Sequence, residues 1–548
     1  MKTKINIKLL YIVLCGFGLC LTGCEDYLTA PSPATDTAKD FFSGGQACIN
    51  NINADYVPLQ WEYGTTYCSE WFIGDVVSDD ALKGGQNLND MSNVYDFENW
   101  KTISNNDLLN DIYRANYLGI GRCNLSLRHI PEAETDSLMD QRLKNRLLGE
   151  AHFLRAMYYF RLVRIFGGVP LILSVIDGTS GWVQERASVD DVFKAIIADL
   201  EIANQYLWVR SAYSSADLGR ATKGAAQAML LKTYLYMAGD YWNKQVTMDA
   251  SDCYKAAKAW GDSIIASGEY ALVPNYAELF TLAGENGPES VFEVQYMEEE
   301  TSDYGADAGG FGATRGTFSV ILTRSRSSLL GGGWGFNKPT QNLYDEYEDG
   351  DVRRDVTILN PLDSLIENPN EEIYLGCRYV SRKRALYTNE TGTAYENLGH
   401  ATRGEINNTI IRYADVLLMH AEACIGCGDE AGAAADLNQV RSVRGMATYP
   451  GYTFKVNGTE ISAPTILQAV RHERRVELAM EGHRWFDLVR WNGLEGTGVK
   501  AHMDSYAQTE TAAAQQQMAA FVAGKHEIFP IPAKQRELNM ALTQNNGY

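Results

Sequence analysis

Three groups of residues have types and spacings suited to chemistry. Asp79-Asp80 is an adjacent carboxylate pair in the polar stretch Ser78-Asp-Asp-Ala-Leu-Lys-Gly-Gly85. Paired carboxylates serve glycoside hydrolysis as acid and base or nucleophile, and Asp side chains also hold sugar hydroxyls or calcium. The plainer alternative is a turn capped by its own Asp side chains. His420, Cys424 and Cys427 follow at i, i+4 and i+7, on one face of a helix, with donors suited to zinc. No second CxxC accompanies them, and the stretch reads as a packed helix whose thiols fill small apolar sites. From Arg471 to Arg490 the charges Arg471, Glu473, Arg474, Arg475, Glu477, Glu481, Arg484, Asp487 and Arg490 crowd one segment. Their alternation at i+3 and i+4 fits ion pairing along a helix. His472-Glu473 opens an HExxH pattern that Val476 fails to close. No GxSxG or P-loop occurs, and Gly119-Ile-Gly121 falls inside a helical pattern.

The elements that must position these residues are mostly helices. Apolar residues recur at i, i+3, i+4 and i+7 over 143–166, 189–206, 221–238, 256–266, 413–425, 432–444 and 466–491. Several of these end in Gly, as in Phe166-Gly-Gly-Val-Pro170, Met237-Ala-Gly-Asp240 and Gly426-Cys-Gly-Asp429, the expected stop chemistry. Placing Gly239-Asp240 on Gly428-Asp429 pairs Ala225 with Ala414, Ala228 with Leu417 and Met229 with Leu418, and an Ala-rich helix follows each. Such helix pairs resemble tetratricopeptide units, which bury their apolar faces only by stacking. The fold class is therefore mainly α, a tetratricopeptide-like repeat scaffold over about 101–275 and 405–492. Two loop-rich portions, about 57–100 and 297–400, interrupt it. The first is dense in aromatics, and Met297 to Lys338 holds nine Gly. Long loops in compact proteins usually carry function.

Composition narrows the partners. The 548 residues are 45% hydrophobic with 48 Lys+Arg against 69 Asp+Glu, a net charge of -21. That balance excludes nucleic acid, whose phosphates require clustered Lys and Arg. The first eight residues carry Lys2, Lys4 and Lys8 and no acid, and an apolar run from Leu9 to Leu21 follows. The run is too short to cross a bilayer and fits a secretory signal. It ends Leu21-Thr-Gly-Cys24, which resembles a bacterial lipobox. The expectation is a signal peptide over 1–23, a lipidated Cys24 and a tether to residue 40, with Pro31 and Pro33 within it. Cleavage removes those three Lys, taking the charge from -21 to -24. So acidic a protein is not drawn to anionic lipid, and its acyl chains must hold it at the membrane. The seven remaining cysteines are odd in number and irregular in spacing, which is no disulfide framework.

In this order the motifs resemble the SusD/RagB family of outer-membrane nutrient-binding lipoproteins. The resemblance rests on the lipobox, Ser78 to Gly85, Glu150-Ala-His-Phe-Leu-Arg-Ala-Met-Tyr-Tyr-Phe160 with Gly167-Gly-Val-Pro-Leu171, and Gly219-Arg-Ala-Thr-Lys-Gly224. It continues through Val291-Phe-Glu-Val-Gln295, Asn342-Leu-Tyr-Asp345, Arg353-Arg-Asp355, Tyr413-Ala-Asp-Val-Leu-Leu418, Arg471 to Trp491, Phe529-Pro-Ile-Pro532 and Leu542-Thr-Gln-Asn545. Asn546 departs from the family's frequent Pro. The resemblance implies one SusD-like domain over 41–548, lipid-anchored at the cell surface as a lid over a SusC-like TonB-dependent transporter. It implies a glycan ligand, sometimes a peptide, and no catalysis. A lipid-anchored glycoside hydrolase is the contrasting alternative. No cofactor is implied, with calcium left open.

A sugar offers apolar C–H faces and a hydroxyl rim, so its binder needs aromatic platforms beside polar groups. The candidates are Trp61, Tyr63, Tyr67, Trp71 and Trp100 with Asp79, Asp80 and Lys83, and on the second loop portion Tyr296, Tyr304 and Phe311, with core packing the plainer reading for any one of the aromatics. Trp334 reads as structural. The family's sugar contacts lie on its variable loops and do not transfer by position.

Overall fold

The computed structural model describes residues 43–62, 71–176, 181–297, 316–385, 404–494 and 496–548. Its principal elements, in chain order, are α1 (Gly45–Gln60), α2 (Trp71–Val76), β1 (Ala81–Gly84), α3 (Asp107–His129), α4 (Gln141–Phe166), α5 (Val189–Tyr206), α6 (Lys223–Ala238), α7 (Ala250–Ala266), β2 (Ser290–Val294) and β3 (Phe336–Pro339). They continue with β4 (Asn408–Arg412), α8 (Tyr413–Gly426), α9 (Glu430–Val443), β5 (Phe454–Val456), β6 (Thr459–Ile461), α10 (Ile466–Leu478), α11 (Arg484–Arg490) and α12 (Val499–Ala507).

Helices start where the side-chain chemistry allows. Asp140, Ser188, Thr222, Asp249 and Asp429 each accept a backbone N–H of the first turn that follows, and Thr465 closes a capping box with Gln468. Each such cap is worth about 1 kcal/mol. Successive helices then pack on one another along the chain: α3 on α4, α4 on α5, α5 on α6, α6 on α7, α7 on α8, α8 on α9 and α9 on α10. That succession is the stacked solenoid expected from the sequence. α4 and α6 lie at its centre, and from Leu147 onward almost every α4 side chain is buried. The two helices can approach neighbours closely only where side chains are small. A Cβ on Gly119 of α3 would lie 2.5 Å from the Tyr158 ring of α4, so that crossing requires Gly.

The strands pair in twos. β1 runs antiparallel to β3 with Ala81 opposite Pro339, and β2 antiparallel to β4 with Ser290 opposite Arg412. The first pair joins the two loop-rich portions to each other, and the second anchors the strand before 297 to the start of α8.

Three sequence expectations are corrected here. The single helix expected over 466–491 is broken between Leu478 and Arg484, where Met480 and Gly482 take φ of 64° and 83°. Both halves are buried nearly all round, so the apolar spacing runs through the break unmarked. The two Gly-Asp turns aligned as repeats also differ, since Gly428 has φ 76° whereas Gly239 has φ −65°. The portion 57–100 is less loop than expected. It contains the end of α1, α2, β1 and a helix over Ser92–Glu98. Of the six described cysteines, five are buried and none is in a disulfide.

Candidate functional site

The charges of α10 and α11 are buried and pair with other elements. Arg353 donates to Glu477 at 2.8 Å, and Arg412 to Glu477 at 2.6 Å and Glu481 at 2.9 Å. Arg474 bridges Asp415 and Asp487, and Arg490 forks onto Glu422. Only Arg490–Asp487 keeps the expected i, i+3 spacing within α11. The network therefore ties the end of the solenoid to the rest of the chain, whereas the sequence suggested pairing along one surface.

Asp79 and Asp80 belong to this network. Arg484 holds Asp79 in a two-pronged pair at 2.7 and 2.8 Å, and His502 Nε2 lies 2.8 Å from the same carboxylate. Arg475 donates to Asp80 at 2.9 Å and to Glu346 at 2.9 Å. Desolvation opposes the charge on Asp79, yet the guanidiniums of Arg475 and Arg484 outweigh it and hold that carboxyl well below the usual carboxylate range. Asp80 is pushed upward by desolvation and by its neighbour Asp79, against the pull of Arg475. Both carboxylates are buried, with no face open to a sugar. They fasten the turn before β1 to α10 and α11.

The other described candidates are also packed inside. Lys83 is fully buried and donates to the carbonyls of Gly84, Asn87 and Asp90. Trp61 lies beneath the Arg122 guanidinium at 5.0 Å, Trp71 beneath that of Arg384 at 4.1 Å, and Trp100 meets Phe521 edge-on at 5.4 Å. Trp100 alone of these has a left-handed backbone, φ 55°. Tyr296 donates its hydroxyl to Gln60 O at 3.2 Å. None of these rings is more than 7% exposed. These rings are packed inside, which is the plainer of their two readings, and their faces fill the junction between neighbouring elements. Tyr63, Tyr67, Tyr304, Phe311 and Cys24 lie outside the described residues.

The buried set brings together the described residues that flank positions 63–70, 298–315 and 386–403. The Glu62 carboxylate accepts from Thr317 Oγ1 at 2.6 Å and from Phe318 N at 2.8 Å. Gln60 Nε2 donates to Gln295 O at 2.7 Å. Thr317 and Gly404 exchange both backbone hydrogen bonds, at 2.8 and 2.9 Å. Arg324 Nε donates to Ala385 O at 2.6 Å, and Arg384, seated on Trp71, donates to Asn408 at 2.7 Å. Phe318 stacks on Trp334 with ring centres 5.7 Å apart. The described residues flanking all three stretches are thus linked by direct contacts. A cavity of about 240 Å³ adjoins these contacts, lined by Asn53, Tyr56, Gln60, Arg220, Phe292 and Gln295. Another, of about 250 Å³, between β5–β6, α10 and α12, shares no residue with it. Local pattern carries no sign of this convergence, since two of its contacts join residues more than 200 positions apart.

The described residues form a helical-repeat scaffold with a buried ion-pair network at one end, the architecture of a mainly α repeat protein. Comparison with known sequences places it further. The pattern of the SusD family matches residues 379–548, and a pattern described as "Starch-binding associating with outer membrane" matches residues 31–235. The chain belongs to the SusD family. It is 25% identical over 501 residues to a SusD-like protein of Bacteroides ovatus, covering 89% of this chain and 83% of that one. It is 25% identical over 521 residues to SusD-like protein P38 of Formosa agariphila, covering 90% and 92%. Among solved structures it is similar to a laminarin-binding SusD-like protein, at 27% identity and TM-score 0.71 over 92% of this chain and all of that one. Surface glycan-binding protein A from Bacteroides fluxus shares the fold at 24% identity and TM-score 0.74, covering 92% of this chain and 100% of that one.

Proposed function

We propose that the mature chain is a non-catalytic glycan-binding lipoprotein of the outer membrane, displayed at the cell surface, that passes oligo- or polysaccharide to a SusC-like TonB-dependent transporter. The observation that carries the reading is the set of direct contacts among the described residues that flank 63–70, 298–315 and 386–403. Tyr63 and Tyr67 on the first stretch and Tyr304 and Phe311 on the second are the rings we assign to the sugar. The name of the laminarin-binding relative makes a β-glucan the first ligand to try, with starch beside it. The engagement of Asp79 and Asp80 with guanidiniums argues against their use in hydrolysis.

Affinity electrophoresis in gels containing laminarin or starch tests the reading. Retardation is expected for the wild type and is lost in Tyr63→Ala/Tyr67→Ala and in Tyr304→Ala/Phe311→Ala, with thermal midpoints unchanged. A panel of glycans that all fail to bind, with peptide recovered from the purified protein instead, overturns the glycan assignment. Cys24→Ala is expected to release the protein from membranes, and a transporter is expected to co-purify with the wild type from outer membranes.

A further inference from the structure

The cavity of about 250 Å³ between β5–β6, α10 and α12 is bordered by side chains of the buried charge network, and two of them have bonding capacity left over there. Arg484 commits Nε and Nη2 to Asp79, and its Nη1 has no partner among the described residues. His502 sets Nε2 2.8 Å from the same carboxylate, and its Nδ1 has none either. Both side chains are more than nine-tenths buried, and both border the cavity. Neither nitrogen is shut off from open space, so both are presented to the cavity.

Their chemistry is complementary. Desolvation holds His502 below the usual histidine range, against the pull of Asp79. The neutral ring gives its one proton to Asp79 through Nε2 and offers Nδ1 as an acceptor, whereas Arg484 Nη1 can only donate. The Glu346 carboxylate also borders the cavity, and it already accepts from Arg475 at 2.9 Å and lies 3.2 Å from His472 Nδ1. Arg471 donates to the Leu494 carbonyl and rests over the Trp491 ring at 4.8 Å. Arg484 and Glu346 are thus matched within the protein, and a charged ligand would bring a charge with no counter-ion. A hydroxyl both donates and accepts, which is what this floor requires.

The walls are apolar, from Phe454, Val456 and Ile461 of the hairpin and from Leu494. His472 stacks on Phe454 with ring centres 4.0 Å apart and fixes it. Asn457 at the hairpin turn accepts from Asn342 at 2.9 Å and donates to Ser505 of α12 at 3.3 Å, so the walls are held in place. The volume lies just below the roughly 300–1,000 Å³ of sites for drug-sized ligands, which leaves room for one ring. We propose that this cavity binds a single free sugar ring, its C–H face against the apolar walls, its hydroxyls donating to His502 Nδ1 and Glu346 and accepting from Arg484 Nη1. The inference is independent of the polysaccharide assignment above, which uses none of these residues.

Isothermal titration calorimetry of the mature full-length protein with D-glucose, D-galactose, D-mannose and D-xylose tests it, with acetate as the charged control. At least one of the sugars is expected to bind one-to-one, and acetate is not. Ala501→Trp, which fills the cavity from an exposed position on α12, is expected to abolish binding. His502→Phe keeps the ring shape and leaves Asp79 with both prongs of Arg484, and is expected to weaken binding about tenfold, the loss of one buried hydrogen bond. Tyr63→Ala/Tyr67→Ala is expected to bind the free sugar as the wild type does, and Ala501→Trp to be retarded by laminarin or starch as the wild type is, so the two assignments fail separately. The proposal is overturned if none of the four sugars binds, if Ala501→Trp binds as tightly as wild type, if binding is lost with Tyr63→Ala/Tyr67→Ala, or if acetate takes the site instead.

Discussion

Replacing Asp79 by Asn tests whether this carboxylate is a tether or a working group. Asp79 is fully buried, takes both prongs of Arg484 and lies against His502. Removing its charge leaves the Arg484 guanidinium buried without its counter-ion. Breaking one partner out of such a pair costs about 3–5 kcal/mol. Unfolding entropy of about 2.1 cal/mol/K per residue, over a folded body of about 500 residues, comes to roughly 1 kcal/mol/K, so the thermal midpoint falls by about 3–5 °C. Scanning calorimetry at pH 7 measures this, with glycan affinity per folded molecule unchanged. The pH dependence has a fixed sign. The folded pKa of Asp79 lies below its unfolded value near 3.9, so its stabilisation is full above that value and disappears as pH falls further. The gap between wild type and Asp79→Asn is therefore constant from about pH 5 upward and narrows below about pH 4. An unchanged midpoint with lost glycan binding, or sugar release by the wild type that the variant lacks, refutes the tether.

Trp71→Ala is expected to lose about 3–5 kcal/mol of stability through the cavity it leaves beneath Arg384, a loss calorimetry detects, without changing affinity per folded molecule. Gly119→Val drives a Cβ into the Tyr158 ring and is expected to separate α3 from α4, read as a lower midpoint and faster amide exchange in both helices. Burial pushes Asp75 up to about 7, so its proton contributes stability that is full below about pH 4 and lost as pH rises through 7. Asp75→Asn is expected to flatten that part of the pH–stability curve, measured by urea melts between pH 5 and 8.

Much of the scaffold was legible because helices announce themselves locally. The capped starts at Ser188 and Thr465 and the end of α4 at Gly167 are side-chain and backbone preferences that act within one turn. The break between α10 and α11 was not legible, since burial on every face keeps the apolar spacing in phase across Met480 and Gly482. Among the candidate binding residues, Trp61, Trp71, Trp100 and Lys83 carry both readings, a ligand site and a core, and the structure packs them inside. A ring suits a sugar face and a core equally well, and composition alone does not distinguish them.

The amino-acid sequence by itself determined the α-helical repeat class, the acidic net charge, and the order of motifs that marks the SusD family. These follow from periodicity, charge and short-range pattern, which the chain carries wherever it goes. Only the tertiary structure decided that Asp79 and Asp80 answer to arginines some 400 positions away, that Glu62, Thr317 and Gly404 meet, and that Asp262 and Asp436 reach His420. Those are contacts between distant stretches, created when stacked helices and paired strands bring together residues whose separation in sequence carries no trace of it.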